Sequence, residues 1–212
     1  MIPAGAVVFI VGGRLSTIGR ALKSIEQELG GRNGKDIAPD GSASRTYAVA
    51  RWFGAAQRDF AARMRWTVTP RFSDANHAPE IELIAPDDVA SAVRPGQQVM
   101  LKARIQDPDG GHVTGRWWRY EDADTYPGPI DLATDSEEST GGKARTYPFE
   151  IPAPGSPEIA KLIVNETVVT SRFTVPPDAA NGQTFHLILE AVDNGTPSLT
   201  SYRRVVLTVM RD

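Results

Sequence analysis

The 212-residue sequence contains no cysteine, so disulfide bonds, thiolate zinc sites and cysteine nucleophiles are all ruled out. It also has no apolar run near the ~20 residues that a membrane-spanning helix needs. The longest such run near the start, residues 6–11, lacks a basic leader and is more typical of a short buried strand than of a signal peptide. We therefore expect no membrane partner and no disulfide scaffold.

The sequence has no excess of basic charge either. Its net charge is −3, which argues against a nucleic-acid partner. Residues 1–76 carry eleven Lys and Arg against six Asp and Glu, whereas residues 77–212 carry twelve against twenty. We interpret this change as a boundary between two differently built parts that dock through complementary charge. The alternative is a solvated surface whose charge is simply uneven.

Recognised catalytic patterns are missing as well. There is no G-x-S-x-G nucleophile turn, and no glycine-rich loop has the spacing of a phosphate site. The histidines have neither metal-binding nor triad spacing; they are His77, His112 and His186. We predict no catalytic residue in this chain.

From residue 77 onward the sequence has the pattern of β-strands. Within 184–210, apolar residues such as Leu187 and Leu189 alternate with polar ones, and Asn194-Gly195 separates two such runs. Further strand candidates lie at 81–84, 99–105, 113–120, 161–164 and 172–175. Roughly seven short strands separated by turns predict an immunoglobulin-like antiparallel β-sandwich. An irregular insertion is predicted near 121–160, and such long loops are typically functional or mobile.

Residues 1–76 have instead the pattern of a short α/β or helical segment. Apolar residues recur every three or four positions near 15–29 and 46–64, which predicts two amphipathic helices. The apolar stripe of the first helix consists of Leu15, Ile18, Leu22, Ile25 and Leu29, and that of the second of Val49, Trp52, Phe53, Ala56, Phe60 and Met64. A short hinge is predicted at 76–79. Because so few elements cannot cover each other's apolar faces, this part is interpreted as the tail of a larger domain or as a segment packed on the sandwich.

The run Arg-Trp-Trp-Arg-Tyr that ends at Tyr120 is one candidate binding surface. Since successive strand residues point to opposite faces, we assign Trp117 to the core and Trp118 and Tyr120 to the outer face. Aromatic rings with polar edges suit the apolar faces of sugars. We predict that Trp118, Tyr120 and Tyr126 stack on a polysaccharide while Arg119 donates hydrogen bonds. The alternative is that the insertion or the N-terminal part covers this strip.

A group of acidic loop residues is another candidate site. In a sandwich of this kind, the loop after the second strand and the loop between the last two strands lie at the same end. Asp107 and Asp109 should therefore lie near Asp193 and Asn194. Converging oxygen ligands suit Ca²⁺, so Asp107, Asp109 and Asp193 are candidate calcium ligands. The commoner arrangement, which is the alternative, is that these side chains form Asx-type turns with their own backbone.

Two sets of residues resemble a known family. The first set resembles the end of the nucleoside-hydrolase-like domain in a bacterial family of cellulose-binding proteins; it consists of Arg51-Trp52-Phe53, residues 57–64 and Trp66-Thr67. The second set resembles the β domain that follows; it consists of Asn76-His77-Ala78-Pro79, the turn at 107–110, Arg116-Trp117-Trp118, Tyr120-Glu121, Thr125-Tyr126, and 186–190 through 202–204. The resemblance covers about residues 44–212, with several motifs in the same order.

The resemblance implies a nucleoside-hydrolase-like α/β domain followed by an immunoglobulin-like module. It further implies a protein that is often exported, secreted or periplasmic, and linked to the use of plant polysaccharides. The aspartate cluster with which nucleoside hydrolases hold Ca²⁺ and activate water is absent before Trp52, so hydrolase activity is not carried over. Residues 1–76 are accordingly interpreted as a remnant of the hydrolase-like domain and residues 77–212 as the sandwich.

Three hypotheses follow. The leading one is a non-catalytic, carbohydrate-associated and cellulose-binding module, whose partner is a polysaccharide or its own N-terminal hydrolase-like domain. The second is a structural module that mediates contacts between domains and binds no glycan. The third is part of a Ca²⁺-dependent hydrolase of N-glycosidic bonds whose catalytic half is missing.

Overall fold

The computed structural model describes residues 47–145 and 162–211, together with Ala38, Gly41 and Ser42. These residues contain one α-helix, α1 (Tyr47–Trp66), and eight strands. The strands are β1 (Glu80–Ala85), β2 (Ala90–Val93), β3 (Gln98–Gln106), β4 (Val113–Arg119), β5 (Ala133–Arg145), β6 (Leu162–Thr174), β7 (Thr184–Asp193) and β8 (Thr200–Val209). In this part of the chain, no helix is long and apolar enough to cross a membrane.

The strands form two four-stranded sheets packed face to face. The strand order is β1-β3-β6-β5 in one sheet and β2-β8-β7-β4 in the other. The mainly β sandwich preceded by a helical segment is therefore confirmed. Apart from β2, this is the strand order of immunoglobulin constant-type domains. The pairing is antiparallel except between β2 and β8, which run parallel.

The core lies between the sheets and is built from every second residue of the long strands. Leu101 of β3, Trp117 of β4, Leu189 of β7 and Leu207 of β8 all point inward, and none is more than 4% exposed. The prediction that these residues share one interior is confirmed. The period-two pattern places them there because strand side chains alternate between the two faces of a sheet.

The hairpin at the end of the chain also forms as predicted. β7 and β8 pair from Thr184 opposite Thr208 to Val192 opposite Thr200. Asp193 holds the connection, since its Oδ1 accepts hydrogen bonds from the backbone N–H of Gly195 at 3.0 Å and of Leu199 at 2.8 Å.

Three strands differ from the sequence-based expectation. β5 lies inside the stretch for which an irregular insertion was predicted, and β2 was not predicted at all. The two candidates at 161–164 and 172–175 belong to one continuous strand, β6. Periodicity does not indicate β5, because its sequence ATDSEESTGGKAR contains no large apolar residue, and β2 (ASAV) contains only one. β2 is also only four residues long.

The helix predicted at 46–64 is confirmed as α1, but the predicted apolar side is only partly the buried side. Among the residues of α1 whose burial is described, Ala55 and Ala62 are buried, at 9% and 1% exposure, whereas Phe53 and Met64 are 58% and 53% exposed. The prediction missed Ala55 and Ala62 because alanine has little apolar area, but it did include Trp52, which contacts the outer face of the sandwich. The predicted helix near 15–29 and the apolar run at 6–11 lie outside the described residues. The division into domains at residue 76 stays a prediction.

Candidate functional site

The outer face of the sheet β2-β8-β7-β4 carries the aromatic strip singled out in the sequence. Trp118 of β4 lies opposite Ile188 of β7, which lies opposite Arg204 of β8. Ile188 points away from the core, yet it is only 4% exposed. We attribute this burial to α1, because Trp52 of that helix contacts residues on both flanking strands.

Trp52 is the centre of these contacts. Its ring stacks on Trp118 with a centroid distance of 5.7 Å and an interplanar angle of 28°. It meets Tyr202 edge-on at 4.8 Å and Tyr120 edge-on at 6.0 Å. Such offset and edge-to-face pairs each contribute about 0.5–1.5 kcal/mol beyond the area they bury. One side chain of α1 therefore engages aromatic residues from β4, from the residue after β4, and from β8.

Arg51 adds a cation to the same cluster. Its guanidinium carbon lies 5.4 Å from the ring centroid of Trp118, 5.2 Å from that of Tyr120 and 4.9 Å from that of Tyr47. A guanidinium at these distances from ring centroids is attracted by the negative faces of the rings. The positive side chain that would attract a sugar hydroxyl or an anion is thus engaged with the protein's own aromatic residues.

The residues predicted to stack on a polysaccharide do not form an open surface. Trp118 is half-buried beneath Trp52, and Tyr120 is only 2% exposed. Tyr126 packs in the core against Phe185, with ring centroids 5.2 Å apart, and its hydroxyl donates a hydrogen bond to Asp178 at 3.0 Å. Trp52 therefore occupies one face of the Trp118 ring. Trp52 and Arg51 of α1 contact Trp118 and Tyr120, which is the arrangement expected if the N-terminal part covers the strip.

Arg119, predicted to be a hydrogen-bond donor to the ligand, donates instead to its own chain. Its guanidinium pairs with the carboxylate of Asp124 and donates to the backbone oxygens of Tyr126 at 2.8 Å and Gly128 at 2.6 Å. Burial raises the pKa of Asp124 to about 6, while the hydrogen bonds from Arg119 and from the backbone N–H of His186 act in the opposite direction. Arg119 therefore fixes the segment after β4 rather than facing solvent.

Tyr202, on the same outer face, is shielded too. Burial, followed by the negative charge of Glu190, raises its pKa to about 12. The Tyr202 hydroxyl donates to Glu190 at 3.3 Å, and Glu190 also pairs with Arg116 at 2.7 Å. This polar group borders the aromatic cluster and leaves a shallow, open depression of about 400 Å³ beside it, lined by Thr114, Gly115, Arg116, Glu190 and Val192.

The acidic loop residues converge at one end of the sandwich, as the topology argument required. Asp107 is 1% exposed, and burial raises its pKa, with smaller contributions from the negative charges of Asp109 and Asp193. However, Asp107 Oδ1 accepts the backbone N–H of Asp109 at 2.8 Å, which is an Asx turn. The oxygens of Asp193 are likewise used by backbone N–H groups and by Asn76. Within residues 47–145 and 162–211, no group of three or more His, Cys, Asp or Glu is arranged to hold a metal ion.

The segment between α1 and β1, in which only a hinge was predicted, contains side chains that form hydrogen bonds with the end of the sandwich. Asn76 Nδ2 donates to Asp193 Oδ2 at 2.8 Å and to the backbone oxygen of Pro197 at 2.9 Å. The Trp66 indole N–H at the end of α1 donates to the backbone oxygen of Asn76 at 2.8 Å. No local signal could have revealed these contacts, since Asn76 and Asp193 are 117 positions apart.

His77 continues the same connection. Its ring lies between those of Phe72 and Trp66, with centroid distances of 3.6 Å and 4.9 Å and nearly parallel planes. Its Nδ1 lies 2.9 Å from Asp109 Oδ1, and its backbone N–H donates to the same carboxylate. The connector is thus pinned to the end of the sandwich, which is the opposite of a hinge.

The comparisons with known proteins agree with this architecture. Residues 98–209 match the family model described as "Cellulose-binding protein Sde0182, C-terminal domain". A nucleoside hydrolase-related hypothetical protein from Saccharophagus degradans, described as associated with carbohydrate metabolism, is similar in structure, with a TM-score of 0.55 and 26% sequence identity. The similarity covers 80% of this chain and 33% of that one, so the chain spans about a third of its length.

Two further solved structures match with lower scores. A family 123 glycoside hydrolase from Clostridium perfringens matches with a TM-score of 0.36 and 10% identity, over 63% of this chain and 27% of that one. An SrpA adhesin mutant from Streptococcus sanguinis matches with a TM-score of 0.35 and 17% identity, over 62% and 57%. At these values neither similarity bears on function. No curated protein sequence matches the chain.

Proposed function

Because the chain belongs to the family of the cellulose-binding protein Sde0182 C-terminal domain, we propose that it is a non-catalytic, carbohydrate-associated module whose aromatic outer face holds the helix that precedes it. On this proposal the sandwich is an interaction domain, and its partner is the N-terminal, hydrolase-like part in the same chain. The contact of Trp52 with Trp118, Tyr120 and Tyr202 carries the proposal.

The chemistry of the covered face supports this role. Ile188 is an apolar residue on the outer face that is only 4% exposed, so the element that covers it removes its side chain from water. Two small residues of the helix, Ala55 and Ala62, are buried as well. Trp52 then fills the space beside Trp118. Because the aromatic face already contacts an apolar side chain of the same chain, packing within the protein explains it better than ligand binding does.

Contacts at both ends of α1 also support the proposal that the sandwich holds this helix. Near its start, Arg51 lies over Trp118 and Tyr120. At its end, the Trp66 indole donates to Asn76, which is itself bonded to Asp193 at the end of the sandwich. A helix held at both ends behaves as a rigid extension of the sandwich. A rigid connection of this kind would fix the orientation of the module relative to the domain before it.

Hydrogen exchange of the α1 amides tests the proposal. Replacing Trp52→Ala removes three aromatic contacts, and we expect the amides of α1 to exchange at least tenfold faster because the helix leaves the sheet more often. Met100→Ala, on the outer face of the other sheet and 44% exposed, is the matched control and should leave α1 unchanged. Equal exchange in wild type and Trp52→Ala would show that the aromatic face does not hold the helix.

Binding of cellulose by the aromatic face is the second candidate function. The family description suggests a polysaccharide as the partner class, and stacking through Trp118 and Tyr120, together with Tyr126 and Arg119, was the leading sequence hypothesis. In the present arrangement Trp52 occupies the position that a sugar ring on Trp118 would need. Cellulose binding at this face therefore requires α1 to be displaced.

Sedimentation with insoluble cellulose separates the two candidates. If the face binds cellulose, Trp52→Ala should increase the bound fraction several-fold over wild type, and adding Trp118→Ala should abolish the gain. If α1 is a permanent cover, Trp52→Ala should bind no more cellulose than wild type. Wild-type binding that survives Trp118→Ala would assign the polysaccharide to another part of the surface.

A further inference from the structure

The outer face of the sheet β2-β8-β7-β4 continues beyond the aromatic residues that α1 covers. The next outward residues of β4 are Thr114 and Arg116, and they lie opposite Val192 and Glu190 of β7, respectively. These four residues line the shallow depression of about 400 Å³. Thr114 is exposed, and the side chain of Arg116 is 73% exposed. This part of the face is therefore open to solvent.

The two charged side chains in the depression hold each other in place. Nε and Nη2 of Arg116 lie 2.8 Å and 2.7 Å from Glu190 Oε2. The other carboxylate oxygen, Glu190 Oε1, accepts the hydrogen bond from the Tyr202 hydroxyl at 3.3 Å. Because Glu190 is fixed by contacts to both oxygens, a ligand that bonds to it loses little affinity to the ordering of that side chain.

A second depression, on the outer face of the other sheet, also contains an arginine, Arg104. This arginine pairs with two carboxylates, those of Glu82 and Glu166, and its side chain is 30% exposed. The more exposed side chain of Arg116 pairs with Glu190. A guanidinium has five N–H donors, and an arginine held between two carboxylates has fewer of them left for a ligand. The depression with Arg116 is therefore the better binding surface of the two.

We propose that the depression at Arg116 and Glu190 binds a neutral, hydroxyl-rich ligand, specifically a glycan chain. This inference rests on the carbohydrate association in the proposed function, and it places the glycan beside the covered aromatic face. Arg116 donates hydrogen bonds and Glu190 accepts them, and a sugar hydroxyl can do both. Because the two charges are opposite and paired, the site attracts neither an anion nor a cation strongly. The half-buried Val192 adds an apolar contact for the C–H groups of a sugar ring.

The shape of the depression fits part of a polymer. Its volume of about 400 Å³ lies near the lower end of the roughly 300–1,000 Å³ that is typical of ligand sites. β4 is the last strand of its sheet, so the depression lies at the sheet edge. An extended glycan can therefore place part of its length in the depression and continue past the edge.

Titration of the full chain with cellohexaose, followed by amide chemical shifts, tests the inference. We expect the largest changes at residues 114–116 and 190–192. Arg116→Ala should weaken binding at least tenfold, because it removes the donors. Arg172→Ala removes an exposed arginine from the outer face of the other sheet and, as the matched control, should change the affinity less than twofold. Thr114→Glu keeps Arg116 and Glu190 but adds a second carboxylate to the depression, so it should also weaken binding.

Hexagalacturonate has the same number of sugar units but carries a carboxylate on each, so we expect it to bind at least tenfold more weakly than cellohexaose. A preference for hexagalacturonate would overturn the neutral ligand class. Absence of cellohexaose binding, or an affinity that Arg116→Ala leaves unchanged, would overturn the site. Shift changes confined to another surface would also overturn the site but would leave the carbohydrate association standing. The packing of α1 is tested separately by its amide exchange, which needs no glycan.

Discussion

The two outer faces of the sandwich have the same architecture but opposite chemistry. On the sheet β1-β3-β6-β5, Arg104 pairs at 2.7 Å with Glu82, which is 61% exposed, and at 2.5 Å with Glu166, which is buried. On the sheet β2-β8-β7-β4, the corresponding outward positions include Trp118 and Ile188, and α1 covers them. Both faces obey the same alternation, so alternation alone does not decide which face is covered.

The outward residues determine which face is covered by α1. Charged side chains keep their hydration on an open face, and a covering element there would have to desolvate them. Aromatic and aliphatic side chains gain free energy when a helix removes them from water. The covered face is therefore recognisable by outward residues that would be unfavourable in solvent, of which Ile188 at 4% exposure is the clearest example.

The largest expected effect comes from placing a charge on the covered face. Ile188→Asp should lower the free energy of unfolding by about 4 kcal/mol, because it removes buried apolar area and leaves a carboxylate beneath α1. Met100→Asp, at an outward and 44% exposed position on the other sheet, should change it by no more than about 0.5 kcal/mol. Urea unfolding measures both. Equal losses at the two positions would mean that the faces do not differ in cover.

The second effect is a pH dependence of the free energy of unfolding, caused by Asp124, which follows β4 of the covered sheet. Burial raises the pKa of Asp124 from 3.8 to about 6 in the folded protein. Because the folded pKa is the higher one, the stabilisation from this group is complete below about pH 4 and is lost as the pH rises through about 6. The loss is on the order of 3 kcal/mol.

Urea unfolding of wild type and Asp124→Asn between pH 4 and pH 7 measures this contribution. The wild type should lose stability relative to the variant across that interval. Glu82→Gln, on the open face and 61% exposed, should follow the wild-type profile. A wild type that instead gains stability relative to Asp124→Asn with rising pH would show that the ion pair with Arg119 outweighs burial.

The smallest effect concerns the connector that aligns α1 with the covered face. Asn76→Ala removes the hydrogen bonds to Asp193 and to Pro197, and should cost about 2 kcal/mol because it also leaves part of the Asp193 carboxylate without its partner. Asn181→Ala, which removes one exposed hydrogen bond to the backbone of Arg211, should cost under about 0.5 kcal/mol. Thermal unfolding compares the two, and amide exchange in residues 67–79 should rise only for Asn76→Ala. If Asn76→Ala lowers the stability no more than Asn181→Ala does, the hydrogen bonds of Asn76 do not hold the connector to the sandwich.

The sandwich itself was predictable because its strands repeat a simple local rule. Leu187 and Leu189 on β7 and Leu101 on β3 fall on the inner face by period two, and the turn residues after Asp193 mark where the chain reverses. β5 was not predictable in this way, since its sequence ATDSEESTGGKAR contains no large apolar residue. The inward assignment of Trp117 and the outward assignment of Trp118 both followed from the same alternation.

The sequence by itself determined that this chain makes a β-sandwich with a preceding helix and that aromatic residues lie on one outer face, because side-chain direction in a strand depends only on position. The contact of those aromatics with Trp52 of α1 was decided only by the tertiary structure. Trp52 and Trp118 are far apart along the chain, as are Asn76 and Asp193, and the free energy of their contacts depends on distances that no local pattern encodes. The same holds for α1, in which the small Ala62 is buried while the larger Phe53 is exposed.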